Sequence, residues 1–192
     1  EDMLTEAPEN TPGTQYAYSN AGYIVLGSAL ESLSGQSWED QMEERLFGPL
    51  GMDSCGFGPP ASPGETDQPW GHNSSGPVDP ATGYADNPPA LGPAGTVHCS
   101  LESWAAFAAE HVAGSRGESD FLEESTWQQL HTVRGSDYAL GWVVVERNWA
   151  NGDTLSHTGS NTMFLADVWA APGIDEAYLT VTNIYSGPAL ST

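Results

Sequence analysis

A tyrosine and an asparagine two positions apart, Tyr18 and Asn20, stand immediately before a long apolar segment. If that segment is a helix, both side chains can point into one cleft at its entry. The Tyr18 phenol could then carry a proton, and the Asn20 amide could donate and accept hydrogen bonds. The alternative is structural: Asn20 caps the helix, and Tyr18 packs against its surroundings.

A second polar stretch, about 140 residues further along, is His157-Thr158-Gly159-Ser160. A histidine on a strand followed by a hydroxyl suits an anionic substrate group, and Gly159 permits close approach to the backbone. The backbone N–H of Ser160 could donate to a developing oxyanion. The alternative is a strand end that leads into a turn. Neither stretch is specific by itself.

Apolar periodicity predicts the helices that position these residues. Four are expected: residues 21–33, Ser37 to Gly48, Ser100 to beyond Val112, and 126–131. The first is apolar on most faces, which predicts that it is buried. Ser19 or Asn20 can cap its start, and Gly35 stands where a helix end favours positive φ.

Residues 48–97, between the second and third helices, have a different composition and hold ten of the fourteen prolines. We expect an ordered or semi-ordered loop, and loops of this length inside a domain are usually functional. His72, in Trp70-Gly71-His72, either lines a substrate cleft or packs within the loop.

The last sixty residues have a β pattern, in four stretches: Tyr138–Arg147, Thr154–His157, Phe164–Ala170 and Tyr178–Ile184. Asn151-Gly152 favours a type I′ hairpin turn between the first two stretches, and Pro172-Gly173 marks a turn between the last two. The predicted fold class is therefore α+β. A mostly helical part (1–133) precedes an antiparallel meander (134–186).

Charge excludes several classes of function. The 192 residues carry 26 acidic and four basic side chains, a net charge of −22, and no lysine. Four scattered arginines cannot form the basic patch that nucleic acids or anionic membranes require. No apolar run approaches the roughly 20 residues of a membrane helix. The hydrophobic content, 39%, fits one folded domain with a sizeable core, and we expect it to be soluble.

The two cysteines, Cys55 and Cys99, form either a disulfide or two buried thiols. Neither they nor the five histidines have metal-ligand spacing, so we expect no metal and no other cofactor. Each cysteine follows a segment that should frame the long loop. We therefore predict that they lie close enough to bridge.

Several motifs occur in a characteristic order: Pro-Gly-Thr-Gln-Tyr-Ala-Tyr-Ser-Asn-Ala-Gly-Tyr at 12–23, Pro-Leu-Gly-Met at 49–52, Pro-Ala-Gly-Thr at 93–96, Gly-Trp at 141–142 and His-Thr-Gly-Ser-Asn at 157–161. In this order the chain resembles the serine β-lactamase and penicillin-binding-protein family, in its class C-like branch. The resemblance spans nearly all of residues 1–192. It implies an α/β sandwich of the β-lactamase/transpeptidase-like type, present here as a partial domain. It also implies a five-stranded sheet with three strands in this chain, which leaves the strand at 178–184 with an unpaired edge.

The resemblance also implies roles for individual residues. Tyr18 would help activate the nucleophile and protonate the leaving group, and Asn20 would hold a substrate amide. His157, where the family usually has lysine, would assist proton transfer and face the substrate carboxylate. Ser160 would supply an oxyanion N–H. We expect Tyr18, Asn20 and His157 to converge on one concave surface, with Thr158, Gly159 and His72 as substrate contacts.

The chain departs from the family pattern at the nucleophile. The family uses a serine in a Ser-x-x-Lys motif, and a chain without lysine cannot contain it. Three explanations fit: a fragment of a longer protein, one part of a split or nicked enzyme, or a relative that has lost catalysis. We interpret the chain as the C-terminal two-thirds of an enzyme, inactive by itself.

The expected activity of that enzyme is serine hydrolysis of an amide or ester through an acyl-enzyme. Because His157 replaces lysine, a peptidase, aminopeptidase or esterase is favoured over a β-lactamase. The alternative is a non-catalytic protein that binds a peptide or cell-wall fragment. The expected partners are a small-molecule or peptide substrate and a complementing N-terminal segment, without nucleic acid or membrane. The resemblance implies a periplasmic or secreted protein.

Overall fold

The computed structural model describes Thr5 and residues 7–185, in which helices precede a sheet as the sequence predicts. The expected domain limits at residues 1, 186 and 192 lie outside this part of the chain. The helices are α1 (Asn20–Ser34), α2 (Trp38–Met42, continued by a π-helical turn Glu43–Phe47), α3 (Gly92–Gly95), α4 (Leu101–Arg116) and α5 (Glu124–His131). The strands are β1 (Gly56–Phe57), β2 (His72–Asn73), β3 (Gly76–Pro77), β4 (Val97–His98), β5 (Val143–Arg147), β6 (Gly152–Ser160), β7 (Leu165–Ala171) and β8 (Glu176–Thr182).

Helix α1 begins and ends within one residue of the predicted limits, but it does not have the predicted burial. Ser19 caps it by accepting a hydrogen bond from the Gly22 N–H, and Gly35 ends it in the left-handed conformation at φ 74°. Gly27 is its one buried residue, whereas Leu33 is 85% exposed. The expectation of a buried helix is wrong for the described chain, because α1 meets its neighbours along one narrow side.

That narrow contact requires glycine at position 27. A Cβ atom there would lie 2.3 Å from Cγ of Pro93 in α3, far inside van der Waals distance. The apolar pattern of α1 shows what the helix can bury. It does not show how much of the helix the neighbouring elements cover.

The long loop over 48–97 is ordered by short elements and by one covalent bond. Strands β1 and β4 pair in an antiparallel ladder in which Gly56 faces His98. The Cys55–Cys99 disulfide lies beside this ladder, with a Cα–Cα distance of 4.1 Å. The prediction that the two cysteines bridge is confirmed. The loop is therefore closed at its base.

The main sheet is an antiparallel meander of four strands in the order β5-β6-β7-β8. The expectation of three strands is wrong, since all four predicted β stretches pair. Strand β5 begins at Val143 rather than at Tyr138, because residues 135–138 form a turn. No strand of the described chain pairs with the outer edge of β8.

The connection between β5 and β6 is longer than the predicted type I′ turn at Asn151-Gly152, so that expectation is wrong. Arg147 pairs with Gly152 across the ladder, so four residues join the strands instead of a two-residue type I′ turn. Asn148–Ala150 form a 3-10 turn, and Asn151 has φ 55°. The longer connection buries Ala150 completely, which a two-residue turn could not do. The turn predicted at Pro172-Gly173 is present.

Helix α4 covers one face of the sheet and forms the core with it. Its cap is Ser100, as predicted, whose side chain accepts a hydrogen bond from the Ser103 N–H. The central cluster is apolar and almost fully buried: Ala108, Val112, Trp142, Leu155, Val168 and Ala170. This packing fixes the face of β6 that turns towards the helices.

A pair of histidines joins α4 to α5. The Ser115 hydroxyl donates its one hydrogen to the His111 carbonyl. The Ser115 hydroxyl oxygen therefore accepts a hydrogen bond from Nδ1–H of His131. Nε2 of His131 then accepts from Nδ1–H of His111 at 2.9 Å. Burial, and next the neighbouring His131, lower the pKa of His111 to about 3; burial lowers the pKa of His131 to about 4. Both rings are therefore neutral in the folded protein.

This pair predicts acid destabilisation. Both folded-state pKa values lie below the unfolded value of about 6.5, so the unfolded chain binds more protons at acid pH. The free energy of unfolding should fall as pH drops from about 6.5 to about 4, and these groups contribute no slope above about pH 7.5. By pH 5 the buried His111 should lower the free energy of unfolding by on the order of 2 kcal/mol. The contribution of His131 is smaller, because solvent screens its less buried ring.

Urea unfolding at pH 7.5 and 5.0 checks this expectation. In a double variant, His111→Phe with His131→Gln, the free energy of unfolding should differ less between the two pH values than it does in the parent chain. His98→Gln, which changes a histidine outside the pair, is the control and should keep the parent slope. Equal slopes in all three proteins would contradict the assignment.

A second prediction concerns the disulfide. Replacing both cysteines by serine should lower the free energy of unfolding by about 4 kcal/mol in the chain-entropy model, because the bond closes a loop with a sequence separation of 44. Urea unfolding of the oxidised parent and the Cys55→Ser/Cys99→Ser variant measures the difference. A loss below about 1 kcal/mol would show that the loop keeps its ends together without the bond.

Candidate functional site

Tyr18 and His157 lie on the same surface although they are far apart in sequence. Their ring centroids are 6.5 Å apart. Tyr18 directly precedes the cap of α1 and is 58% exposed, while His157 lies within β6 and is half-buried. The start of α1 and the middle of β6 therefore place a phenol and an imidazole beside each other.

A residue that the sequence analysis did not single out, Tyr138, completes this arrangement. Its hydroxyl lies 2.9 Å from Nε2 of His157, and its ring meets that of Tyr18 edge-on at 5.7 Å. The turn at 135–138 holds it, since the Tyr138 N–H donates to the Gly135 carbonyl. The β pattern assigns Tyr138 to a strand, and only its position shortly before Gly-Trp at 141–142 could have indicated a role at the site.

Two further tyrosines surround this centre. Tyr16 packs on Tyr138 with ring centroids 5.3 Å apart. Burial raises the pKa of Tyr138, and Tyr18, Tyr23 and Tyr16 add to the effect because neighbouring phenolates would repel one another. Burial, with Tyr18 and Tyr16, likewise raises the pKa of Tyr23. The hydroxyls of Tyr138 and Tyr23 therefore keep their protons at neutral pH.

The imidazole of His157 is neutral at pH 7. Burial lowers its pKa, and this effect outweighs the opposing contributions of the Asp167 carboxylate and a hydrogen bond to the Thr158 backbone. A neutral ring can accept or donate a proton, but it offers no permanent positive charge to a substrate.

Asn20 is the first residue of α1, and its exposed side chain makes no hydrogen bond to any described residue. Because Ser19 provides the cap, the interpretation of Asn20 as the capping residue is wrong. Its amide is therefore available to a ligand at the entry of the helix.

The residues after His157 alternate between the two faces of β6. Thr158 lies on the opposite face, where its hydroxyl donates to Oδ1 of Asp167 at 2.5 Å. Gly159 shares the face of His157, and a Cβ there would meet no atom within 4 Å. The Ser160 hydroxyl donates to the Phe164 carbonyl at 2.6 Å, which leaves only its backbone N–H as an oxyanion donor. Open space thus adjoins His157 at Gly159.

The turn that follows β6 is tied to the long loop. Asn161 accepts hydrogen bonds from the N–H groups of Met163 and Phe164, and its amide donates to Oδ1 of Asp86 at 2.8 Å. The other oxygen of Asp86 is buried without a partner among the described residues. The loop over 48–97 therefore supports the end of the strand that carries His157.

His72 occupies a structural position. Its ring Nδ1 lies 3.0 Å from the Trp70 carbonyl oxygen and 3.2 Å from the Asn183 carbonyl oxygen. The backbone N–H of His72 also donates to the Asn183 carbonyl. These contacts hold the hairpin β2–β3 against the chain after β8. Contacts within the loop and with the chain after β8 account for His72, and its contact with a substrate stays a prediction.

No group of three or more histidine, cysteine, aspartate or glutamate side chains among the described residues could hold a metal ion. No helix in that part of the chain is long and apolar enough to cross a membrane.

Comparison with known proteins places this fold and site in a family. The family model described as Beta-lactamase matches residues 1–190, so the chain belongs to the β-lactamase family. Its helices and antiparallel sheet form the β-lactamase/transpeptidase-like α+β fold, as the motif order predicts.

Three relatives show how much of the family fold is present. The unguisins hydrolase ungD' of Aspergillus campestris is 29% identical over 98% of the chain and 37% of its own length. A D-stereospecific amidohydrolase from Streptomyces superposes with a TM-score of 0.73 at 19% identity, over 94% of this chain and 54% of its own. A class C β-lactamase gives a TM-score of 0.74 at 19% identity, over 97% and 57%. The chain therefore spans between about a third and three-fifths of the length of these proteins.

The turn after β6 gives a testable prediction. Asn161→Ala removes two acceptor contacts and the bond to Asp86, so it should destabilise the chain by about 2 to 3 kcal/mol. Amide hydrogen exchange at residues 161–164 should also become faster. Asn73→Ala is the matched control, since the exposed Asn73 accepts one similar hydrogen bond from Ser75. If both variants lose the same stability, the link to Asp86 contributes nothing.

Proposed function

We propose that the chain forms part of a serine hydrolase that cleaves an amide or ester through an acyl-enzyme. The observation that carries this proposal is the contact of Tyr18 with His157 and Tyr138. In a family of hydrolases, this arrangement supplies a proton carrier. Asn20, exposed at the start of α1 two residues after Tyr18, supplies the substrate-holding amide in this proposal.

The nucleophile comes from sequence outside these 192 residues. The chain contains no lysine and therefore no Ser-x-x-Lys motif. In the proposed mechanism the serine of that motif attacks the substrate carbonyl, and Tyr18 takes its proton and returns it to the leaving group. Asn20 orients the substrate amide, and the Ser160 N–H donates to the oxyanion. Water then hydrolyses the acyl-enzyme.

The charge at the site favours a substrate without a carboxylate opposite His157. That ring is neutral at pH 7, and the net charge of −22 repels anions. Three arginines are engaged elsewhere: Arg116 with Glu118, Arg134 with the Gln129 carbonyl and Arg147 over the Trp169 ring. We therefore propose a peptidase, aminopeptidase or esterase rather than a β-lactamase, with a small molecule or peptide as substrate.

A second candidate is a non-catalytic protein that binds a peptide or cell-wall fragment on the same surface. The missing nucleophile motif favours it, because the described residues would still bind an amide through Asn20. The two candidates differ in the sequence encoded upstream of residue 1. A Ser-x-x-Lys motif there supports the enzyme, and its absence supports the binding protein. We further propose that either protein is periplasmic or secreted, with no nucleic-acid or membrane partner.

Turnover tests the enzyme. The 192-residue chain alone should hydrolyse neither a chromogenic β-lactam nor a p-nitrophenyl ester above background, because it lacks the nucleophile. The protein extended upstream through its Ser-x-x-Lys motif should be active. In that protein Tyr18→Phe should lower kcat by about 100-fold or more, while Tyr84→Phe, at a tyrosine that is 84% exposed, should have no effect. Serine-directed turnover by the short chain would overturn the assignment of the nucleophile.

Substrate charge tests the class of hydrolase. At pH 7.5 the extended protein should cleave a D-alanyl p-nitroanilide with a higher kcat/KM than the matched substrate that carries a carboxylate opposite His157. The difference should shrink as the pH is lowered further, because protonation of His157 supplies a positive charge only below its lowered pKa. A carboxylate preference at pH 7.5 would contradict the proposed neutral substrate and leave the serine mechanism intact.

A further inference from the structure

The segment that carries Tyr18 is held against the rest of the site by side-chain packing. Residues 7–19 form no helix or strand, so no hydrogen-bonded ladder fixes them. Tyr16 packs on the ring of Tyr138 with centroids 5.3 Å apart, and Tyr18 meets the same ring edge-on at 5.7 Å. The position of Tyr18 beside His157 therefore depends on how closely this segment approaches Tyr138.

The turn at 135–138, which carries Tyr138, is anchored more firmly than the segment that packs on it. No backbone hydrogen bond joins residues 15–18 to this turn. If the two are forced apart, the turn should stay with β5 and the segment before α1 should move. Three backbone hydrogen bonds hold the turn: from Arg134 N–H to the Tyr138 carbonyl, from Tyr138 N–H to the Gly135 carbonyl and from Val144 N–H in β5 to the Asp137 carbonyl.

The turn and the segment meet at Gly135, where no side chain fits. A Cβ atom at this position would lie 2.6 Å from Cβ of Tyr16, 3.5 Å from its Cγ and 3.6 Å from its Cα. Rotation of the Tyr16 side chain about χ1 does not move its Cβ. Because carbon atoms in contact are most stable at about 3.5 to 4.0 Å, relief of this clash requires a shift of the Tyr16 backbone by about 1 Å.

Space, rather than backbone conformation, excludes a side chain at Gly135. Its φ is not positive, so an alanine would not suffer the strain of a left-handed conformation there. The glycine therefore serves the close approach of Tyr16, and Tyr18 follows two residues later in the same segment. We propose that Gly135 is a positioning residue that lets Tyr16 pack on Tyr138 and thereby holds Tyr18 beside His157. Only the effect on turnover rests on the proposed function.

NMR of the 192-residue chain tests this positioning without turnover. The parent chain should show nuclear Overhauser effects between the ring protons of Tyr18 and His157. Gly135→Ala should lose these effects, while those between Phe107 and Trp142 in the core, whose rings stack at 6.2 Å, remain. Retention of the Tyr18–His157 effects in a folded Gly135→Ala chain would overturn the proposal. Their absence from the parent chain would do so without any variant.

Gly83→Ala is the matched control. Gly83 also has no positive φ, and a Cβ there would meet no atom within 4 Å. This variant should keep the effects between Tyr18 and His157. Their loss in both glycine variants would show that the contact at Gly135 is not the cause, and the proposal would fail.

Removal of the clashing atom gives a second test. Tyr16→Gly deletes the Cβ that Gly135→Ala would bring into conflict and leaves only the Cα at 3.6 Å, an ordinary contact. The double variant should therefore recover the Tyr18–His157 effects that Gly135→Ala loses. If Gly135→Ala alone does not fold, the double variant should fold. A double variant that recovers neither the effects nor the fold contradicts the proposal.

Turnover of the extended protein measures the catalytic consequence. Gly135→Ala should lower kcat by about 100-fold, the scale expected when a reacting group is misplaced by about 1 Å, and Gly83→Ala should leave kcat unchanged. Addition of Tyr16→Gly should recover most of the loss. If the NMR results hold and the extended protein is inactive, the hydrolase proposal fails by itself. A loss of kcat in a Gly135→Ala protein that keeps the Tyr18–His157 effects would refute the positioning role alone.

Discussion

The packing of α4 on the antiparallel sheet is the contact on which the other elements depend. Ala108 on the helix and Ala170 on β7 are completely buried, and their small side chains let the two layers approach closely. Trp142 and Val112 fill the remaining space. This contact buries one face of β6 and β7, so it decides which residues of β6 turn inward. His157 shares that inward face, and Thr158 lies on the other.

Apolar burial carries this role because the chain can form few ion pairs. The ion pairs among the described residues both involve Arg116, with Glu118 and Asp175 at the surface, and such pairs contribute little to stability. Most polar side-chain contacts are instead hydrogen bonds in which at least one partner is uncharged. Such bonds join α4 to α5 through His111 and His131, hold the Asn161 turn and link Tyr138 to His157.

The sequence predicts elements better than their surroundings, and the reason is physical. Caps are local, so Ser37 and Ser100 could be found from the residues that follow them. Burial is not local. The apolar faces of α1 predict an interior helix, while its actual exposure depends on which elements lie beside it. The position of Tyr138 was equally hidden, since it depends on a turn at Gly135 and on the register between β5 and β6.

The contact between Gly27 and Pro93 has a consequence for how the protein can vary. A methyl group at position 27 would lie 2.3 Å from the proline ring, so alanine would push α1 away by more than about 1 Å, given carbon contacts of about 3.5 Å. Tyr18 stands at the entry of that helix, and an error of 1 Å in a reacting group can cost about 100-fold in rate. Mutational tolerance at this surface is therefore set partly by a residue without a functional group. In a library of variants, substitutions at position 27 should be depleted as strongly as those at Tyr18.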